Sequence, residues 1–450
     1  MMKSFRLQCK SVFGSIYKRF TFFTQWIVMC FLGAWLIYGD PYGLGSASER
    51  AAERAVYRLL SGFYDASKSE QSILVVLFND QSIANLYPYL WESNDWPLSY
   101  SDQASILTTL MSLEPRGVFY DVMWMKQRSL DGSYKRAIQH LTAMEQATQI
   151  PLWFARGTVN SNMTEGVEQD LKSFSSLAIN GWEGQGDLYP LHSDNTPNTA
   201  TMLYNFYCEQ QGCQGIHDVN APSMSVRWNA NSAPILLPHR NQQCRDRGSA
   251  FQLFVQTIKS VAINIIPWLE EENQLQLCPP QRVLYVDELM AMVRSPNESE
   301  RERVKSIVEG SIVLVGGQIE GVQDYVVSPV HGSLPGVFFH AMALDNLITF
   351  GQSYTREDDT VDHVNFAIWL LYMTLLISIR RYASNYIFLM WLNERQWLLS
   401  GSFIVGILSL VFGVFHFAPS SWISILALGW VSIQIIERVE SYHIEPKHEG

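Results

Sequence analysis

The sequence predicts an α/β domain, a mixed sheet flanked by helices, set between α-helical transmembrane segments. Three observations predict it. Apolar runs occupy residues 20–38 and recur after residue 363, long enough to cross a hydrocarbon core of roughly 30 Å. Between them, residues 39–362 alternate short strand-like apolar runs with helix-like amphipathic stretches, the pattern of an α/β fold. Four of the six cysteines fall in that middle stretch, which suits an oxidising compartment.

The first run, Phe20–Tyr38, is FTFFTQWIVMCFLGAWLIY and carries no charge. Lys3, Arg6, Lys10, Lys18 and Arg19 precede it with no acid among them, which holds residues 1–19 in the cytoplasm. The run ends in LIYGDPYG without a small-residue cleavage site, so a retained anchor is expected in place of a cleaved signal. A second run, Val364–Ile379, starts after Glu357, Asp358, Asp359 and Asp362 and ends at Arg380 and Arg381. That polarity brings the chain back inside.

The predicted order is a basic cytoplasmic N-terminus (1–19), a transmembrane helix (20–38), an exported domain (39–362) and a second transmembrane helix (363–379). A cytoplasmic, interfacial amphipathic segment (380–396), transmembrane helices at 397–417 and 422–436, and a cytoplasmic tail (437–450) follow. Ser402, Gly406, Ser409 and Gly413 are spaced four, three and four apart. They share one helix face and suit close packing against another span or a second copy of the chain.

Within the exported domain, Ile73–Phe78 is a continuous apolar run, expected as a buried strand ending at Asn79-Asp80. Ser101–Leu113 is expected as a helix, Gly117–Tyr120 as a strand ending at Asp121, and Ser133–Thr148 as a helix. Leu152–Phe154 is the next strand. Residues 157–248, rich in Asn, Ser, Gly and Pro, are expected as an irregular insertion. Ala250–Ile266 and Ser299–Glu309 are expected helices, and Ser311–Val315 a buried strand closing on Gly316-Gly317.

Cys208, Cys213, Cys244 and Cys278 admit three pairings. The short loop YCEQQGCQG favours Cys208–Cys213, leaving Cys244–Cys278. Their spacing matches no common zinc site, and no metal or cofactor is expected. Net charge is −11 and no basic stripe is interleaved with aromatics, so no nucleic-acid partner is expected.

Asp80, Asp121 and Asp324 are the acids expected to converge, because two of them end strands and open parallel sheets bind ligands there. A carboxylate set of this kind suits a polar ligand or a cation; it equally suits turns built on loop amides. Trp96, in Trp96-Pro97, either packs a loop on the sheet edge or walls a pocket. Nothing near the acids supplies a nucleophile with an adjacent base, so no enzymatic activity is expected.

Several of these stretches, in order, resemble the second class of cyclase/histidine-kinase-associated sensory extracellular domains, CHASE2. ILVVLFND with Trp96-Pro97, RGVFYDVMW, and GSIVLVGGQIEGVQDYVVSPVHGSLPGVFFHAMALDNLI at 310–348 carry the resemblance, which covers most of residues 50–352. Asn79-Asp80 stands where the family tends to have two acids, and WPLSYSD lacks the Arg that usually follows Trp-Pro.

The resemblance implies an α/β periplasmic sensor in a bacterial inner membrane, with Asp80, Trp96, Asp121 and Asp324 as ligand-binding candidates. His340 and Asn346, on the helix Gly336–Phe350 that runs toward the second span, become signal-relay candidates. The implied partners are the lipid bilayer, a separate membrane or cytoplasmic effector, and a second copy of the chain, since family members usually carry an output domain. Alternatives are an anchoring or assembly subunit of an envelope complex, and, further off, a metal-dependent enzyme using the acids.

Overall fold

The computed structural model describes residues 56–90 (except 59), 95–181, 188–230, 279–321, 324–356 and 361–395, with parts of 23–39 and residues 402, 403 and 406. The chain forms two compact units: Tyr57–Arg356, and Met1–Val56 with Glu357–Gly450.

The first unit is built on a six-stranded sheet. In chain order its elements are β1 (Ile73–Asn79), α1 (Asp80–Asn85), α2 (Tyr100–Met111), β2 (Gly117–Tyr120), α3 (Tyr134–Thr148) and β3 (Leu152–Gly157). Then come α4 (Glu165–Lys172), β4 (Ser176–Ile179), α5 (Thr199–Gln211), β5 (Arg282–Tyr285), α6 (Val286–Val293), α7 (Glu298–Val308) and β6 (Ile312–Gln318). A hairpin of β7 (Tyr325–Ser328) and β8 (Gly332–Pro335) leads into α8 (Val337–Phe350).

The sheet order is β4-β3-β2-β6-β1-β5. Every pairing in it is parallel, where the sequence suggested a mixed sheet. Antiparallel pairing is confined to small two-stranded pieces such as β7-β8. The reason lies in the connections, since parallel neighbours need long crossovers and helices supply them here.

Helices cover both faces, which is why β1 and β6 read as unbroken apolar runs. Leu74, Val76 and Phe78 of β1 point into a core with α2, α3, α4, α6 and α7. Ile73, Val75 and Leu77 point the other way, into a core with α5 and α8. Gly316 of β6 lets α8 sit close, because a Cβ there would lie 2.5 Å from the Cβ of Val337.

Polar links inside the first core are satisfied. Gln103 of α2 is buried, its Oε1 accepting from Tyr120 Oη and Trp124 Nε1, each at 2.7 Å. Ser99 caps α2 by accepting from Asp102 N, as such residues do at helix starts.

The described residues of 157–248 are more regular than their composition suggested. They contain α4, the sheet-edge strand β4 and α5. Cys208 closes onto Cys213 in a disulfide just beyond α5, as expected. Cys244, Cys278 and the helix expected at 250–266 lie outside the described residues.

In the other unit, the described residues of 23–39 are helical and pack along α9 (Val361–Tyr382). Trp369 Nε1 donates to the carbonyl of Met29 at 3.1 Å, and Trp26 Nε1 to Thr374 Oγ1 at 3.0 Å. Met29, Trp369, Tyr372, Met373 and Leu376 are buried together. A short helix, α10 (Ile387–Glu394), follows. Among the described residues no helix is long and apolar enough to cross a membrane. The runs at 397–417 and 422–436, Ser409 and Gly413 lie wholly or largely outside the described residues; Ser402 and Gly406 are helical and exposed.

Candidate functional site

The carboxyl ends of β1, β6 and β2 lie side by side; Asp80 and Asp121 directly follow β1 and β2, and Asp324 precedes β7 in the connection after β6. Asp121 follows β2, and its Oδ1 accepts from Asn180 Nδ2 at 2.6 Å. Burial pushes the Asp121 carboxyl well above the usual carboxylate range, the Asp324 carboxylate pushes it further, and the Asn180 amide opposes both. Asp324 is exposed as a residue, yet its carboxyl is turned onto Gly336 at the start of α8. A Cβ at Gly336 would lie 2.2 Å from Asp324 Oδ1, so glycine is what permits the approach. Burial raises this carboxyl as well.

Asp80 does not join that pair through its own bonds. It is the first residue of α1, exposed, and its Oδ2 accepts from the Glu320 amide at 3.1 Å, tying the loop after β6. Asn79 caps α1 in a reciprocal box with Ser82, a task Asn performs as well as Asp. Among the described residues no group of three His, Cys, Asp or Glu side chains is arranged to hold a metal ion.

Trp96 packs on the end of β1. Its ring lies 5.5 Å from that of Phe78, against the first core. Arg128 reaches the same loop, donating to the carbonyls of Pro97 at 3.0 Å and Leu98 at 2.6 Å. A guanidinium thus serves the Trp-Pro loop from a distant point in the chain.

His340 and Asn346 are both buried on α8. His340 Nδ1 lies 2.8 Å from Tyr189 Oη, and its other nitrogen bonds the Asn180 backbone. The Asn180 carbonyl can only accept, so Nε2 carries the proton and the Tyr189 hydroxyl donates to Nδ1. Tyr189 Oη in turn accepts from the Ala200 amide at 2.9 Å, in the first turn of α5. Burial lowers the His340 pKa to about 4. Asn346 grips the Arg227 backbone with both ends of its amide, each at 2.9 Å, and also donates to the Met342 carbonyl. Both residues tie α8 to neighbouring segments.

A second site was not foreseen. Tyr64, Ser69, Gln281 and Asp345 line a cavity of about 280 Å³ beside α8. Asp345 Oδ1 accepts from Tyr64 Oη at 2.7 Å, Ser69 Oγ at 2.8 Å and Thr349 Oγ1 at 3.2 Å. Burial still raises its pKa to about 6 against those bonds. The one signal in the sequence was an acid within the mostly apolar FFHAMALDNLI, since acids are almost never fully buried unless partnered.

The CHASE2 domain family model matches residues 30–379. The chain belongs to the CHASE2 family. No curated protein and no solved structure matches it. The CHASE2 match runs from the first apolar run through the sheet and α8 into α9. CHASE2 domains are sensory domains that typically lie outside the cytoplasm, and a disulfide such as Cys208–Cys213 persists there.

Proposed function

We propose that this CHASE2 protein is an inner-membrane sensor whose domain at 39–362 lies in the periplasm and whose membrane helices pass an envelope signal to a separate effector, without catalysis of its own. The observation that carries the reading is the CHASE2 match over 30–379. It is supported by the basic residues before Phe20 and after Ile379 and the acids before Val361, the pattern that orients membrane segments. Continuity supports the relay: α8 ends at Phe350, a short turn covers Gly351–Ser353, and α9 begins at Val361. A signal sent this way requires a ligand that binds two arrangements of α8 with different affinity.

Reporter fusions near residue 200 and at both ends test the topology. Activity of a periplasmic reporter at residue 200, with cytoplasmic activity at both ends, is the expected result; a cytosolic residue 200 overturns the reading. Crosslinking in intact cells followed by mass spectrometry then identifies the effector and any second copy of the chain. A chain that crosslinks to no other protein overturns the relay.

One observation favours the anchoring or assembly reading instead. The Trp96 loop is packed onto Phe78 and held by Arg128, so that part of the domain is filled by its own side chains. Under that reading, effector capture is unaffected by any small solute.

A further inference from the structure

Gln281, one of the residues lining the cavity beside α8, carries a buried acceptor with no partner among the described residues. Gln281 is 5% exposed. Its Nε2 lies 3.2 Å from Met342 Sδ, and the amide acts on the Asp345 carboxyl as a donor, lowering its pKa. Both neighbours are acceptors, which fixes the amide orientation and leaves the carbonyl. Gln281 Oε1 is buried and has no hydrogen-bond partner among the described residues. Native proteins rarely leave such an atom unmatched without an unseen partner.

The surroundings select that partner by charge. Asp345 supplies a carboxylate, and the exposed Asp65 and Glu70 stand at the rim. No Lys or Arg is among the described lining residues. Among the described residues, Lys68 Nζ lies 3.4 Å from the Thr349 carbonyl, and the Arg227 guanidinium stacks over Phe350 at 4.9 Å. Ala66, Ile73 and Pro280 provide an apolar wall. A volume of about 280 Å³ holds one small molecule or several waters.

We propose that this cavity binds a small primary ammonium compound, whose N–H donors go to Asp345 and to Gln281 Oε1 and whose short aliphatic part lies on Ala66, Ile73 and Pro280. The proposal deepens the sensory reading by naming a ligand class, but binding stands or falls independently of topology and of any effector. It also carries a pH signature. Affinity rises as pH climbs through the Asp345 titration near 6 and falls again as the amine loses its proton at about pH 10.

The test uses the full chain in lipid nanodiscs, titrated calorimetrically with butylammonium. Tetramethylammonium, which has no N–H, and 1-butanol, which has no charge, are the controls. Saturable binding of butylammonium alone at about pH 8, weakened about tenfold or more in Asp345→Asn, is the expected result. Absence of saturable binding, equal binding of 1-butanol, or undiminished binding to a folded Asp345→Asn overturns the proposal. Should Asp345→Asn fail to fold, Gln281→Met decides in its place. It removes the free carbonyl at similar volume, so a severalfold loss supports the site and unchanged affinity overturns it. These outcomes are separate from the reporter and crosslinking results, so the binding site and the relay can fail one without the other.

Discussion

His340 and Asp345 lie five residues apart on one helix, each 4% exposed and each ionisable, yet their surroundings differ in kind. His340 has both ring nitrogens engaged, one by Tyr189 and one by the Asn180 backbone, with Phe119 packed edge-on at 5.8 Å. Asp345 also collects several hydrogen bonds, but it lines a cavity together with Gln281, whose carbonyl has no partner among the described residues. A closed network of this kind fixes one packing, whereas a partly open one beside a void leaves room for a ligand. Burial of a polar group is therefore a weak guide to function; what distinguishes the two ends of α8 is whether the accounting closes. The largest prediction removes the support both ends share. Gly316→Ala would place a Cβ 2.5 Å from Val337 Cβ, forcing α8 off β6 at a cost of about 3 kcal/mol. A urea-denaturation midpoint within error of wild type would show that α8 is not seated there.

The next prediction sets the two ends against each other by pH. His340 has its pKa lowered to about 4 in the folded protein, against about 6.5 unfolded. The unfolded chain therefore binds the extra proton first, and this contribution, present above pH 6.5, is lost as pH falls toward 4. Asp345 has its pKa raised to about 6, against about 3.9 unfolded. Here the folded state binds the proton first, so the contribution is present below pH 3.9 and is lost as pH rises through 6. Each shift amounts to about 3 kcal/mol, and the signs oppose. Wild-type stability should be nearly level over that window as far as these two groups decide it. Asp345→Asn should unmask a loss of about 3 kcal/mol on acidification from pH 6.5 to 4, read from urea midpoints; a level profile in that variant removes the contrast between the two ends.

A smaller effect isolates the closed end. Tyr189→Phe strips the donor from His340 Nδ1 and the acceptor from the Ala200 amide. With two buried groups unmatched, the loss should be about 2 kcal/mol, without a change in butylammonium affinity. A loss of affinity without a loss of stability would reverse the roles given to the two ends.

How much of this was legible depended on where the information sat. Ile73–Phe78 and Gly117–Tyr120 were readable as strands because both faces of the sheet are covered, so the apolar runs are continuous. Asp80 and Asp121 were readable because acids that close parallel strands fall at one end of the sheet, whereas Asp324 lies in the connection between β6 and β7. β4 was not, since only Ala178 and Ile179 of its four residues are buried. α5 was hidden by composition: Ala200, Leu203, Tyr204 and Cys208 do form a buried stripe at helical spacing, but Asn, Gln and Thr dilute it. The cavity lay beyond reach. Tyr64 and Ser69 come from before β1, Gln281 from just before β5 and Asp345 from α8, so no local pattern announces their meeting.

The smallest expected effect tests the open end without emptying it. Ser69 Oγ lies 2.8 Å from Asp345 Oδ1 and 3.1 Å from the Ala66 carbonyl, so its single proton serves the carboxylate at the shorter distance. Ser69→Ala removes one of the bonds that hold the Asp345 pKa down, while Tyr64 and Thr349 remain. Stability should fall by about 1 kcal/mol, and the carboxyl should titrate higher than in wild type. Butylammonium affinity should then drop severalfold at about pH 6.5, where the carboxyl is part-protonated, and return to the wild-type value at about pH 8. Such a pH-conditional loss cannot come from a damaged cavity wall, which would weaken binding at both values. If affinity falls equally at both, Ser69 shapes the cavity itself, and the ammonium is held by something other than the charge on Asp345.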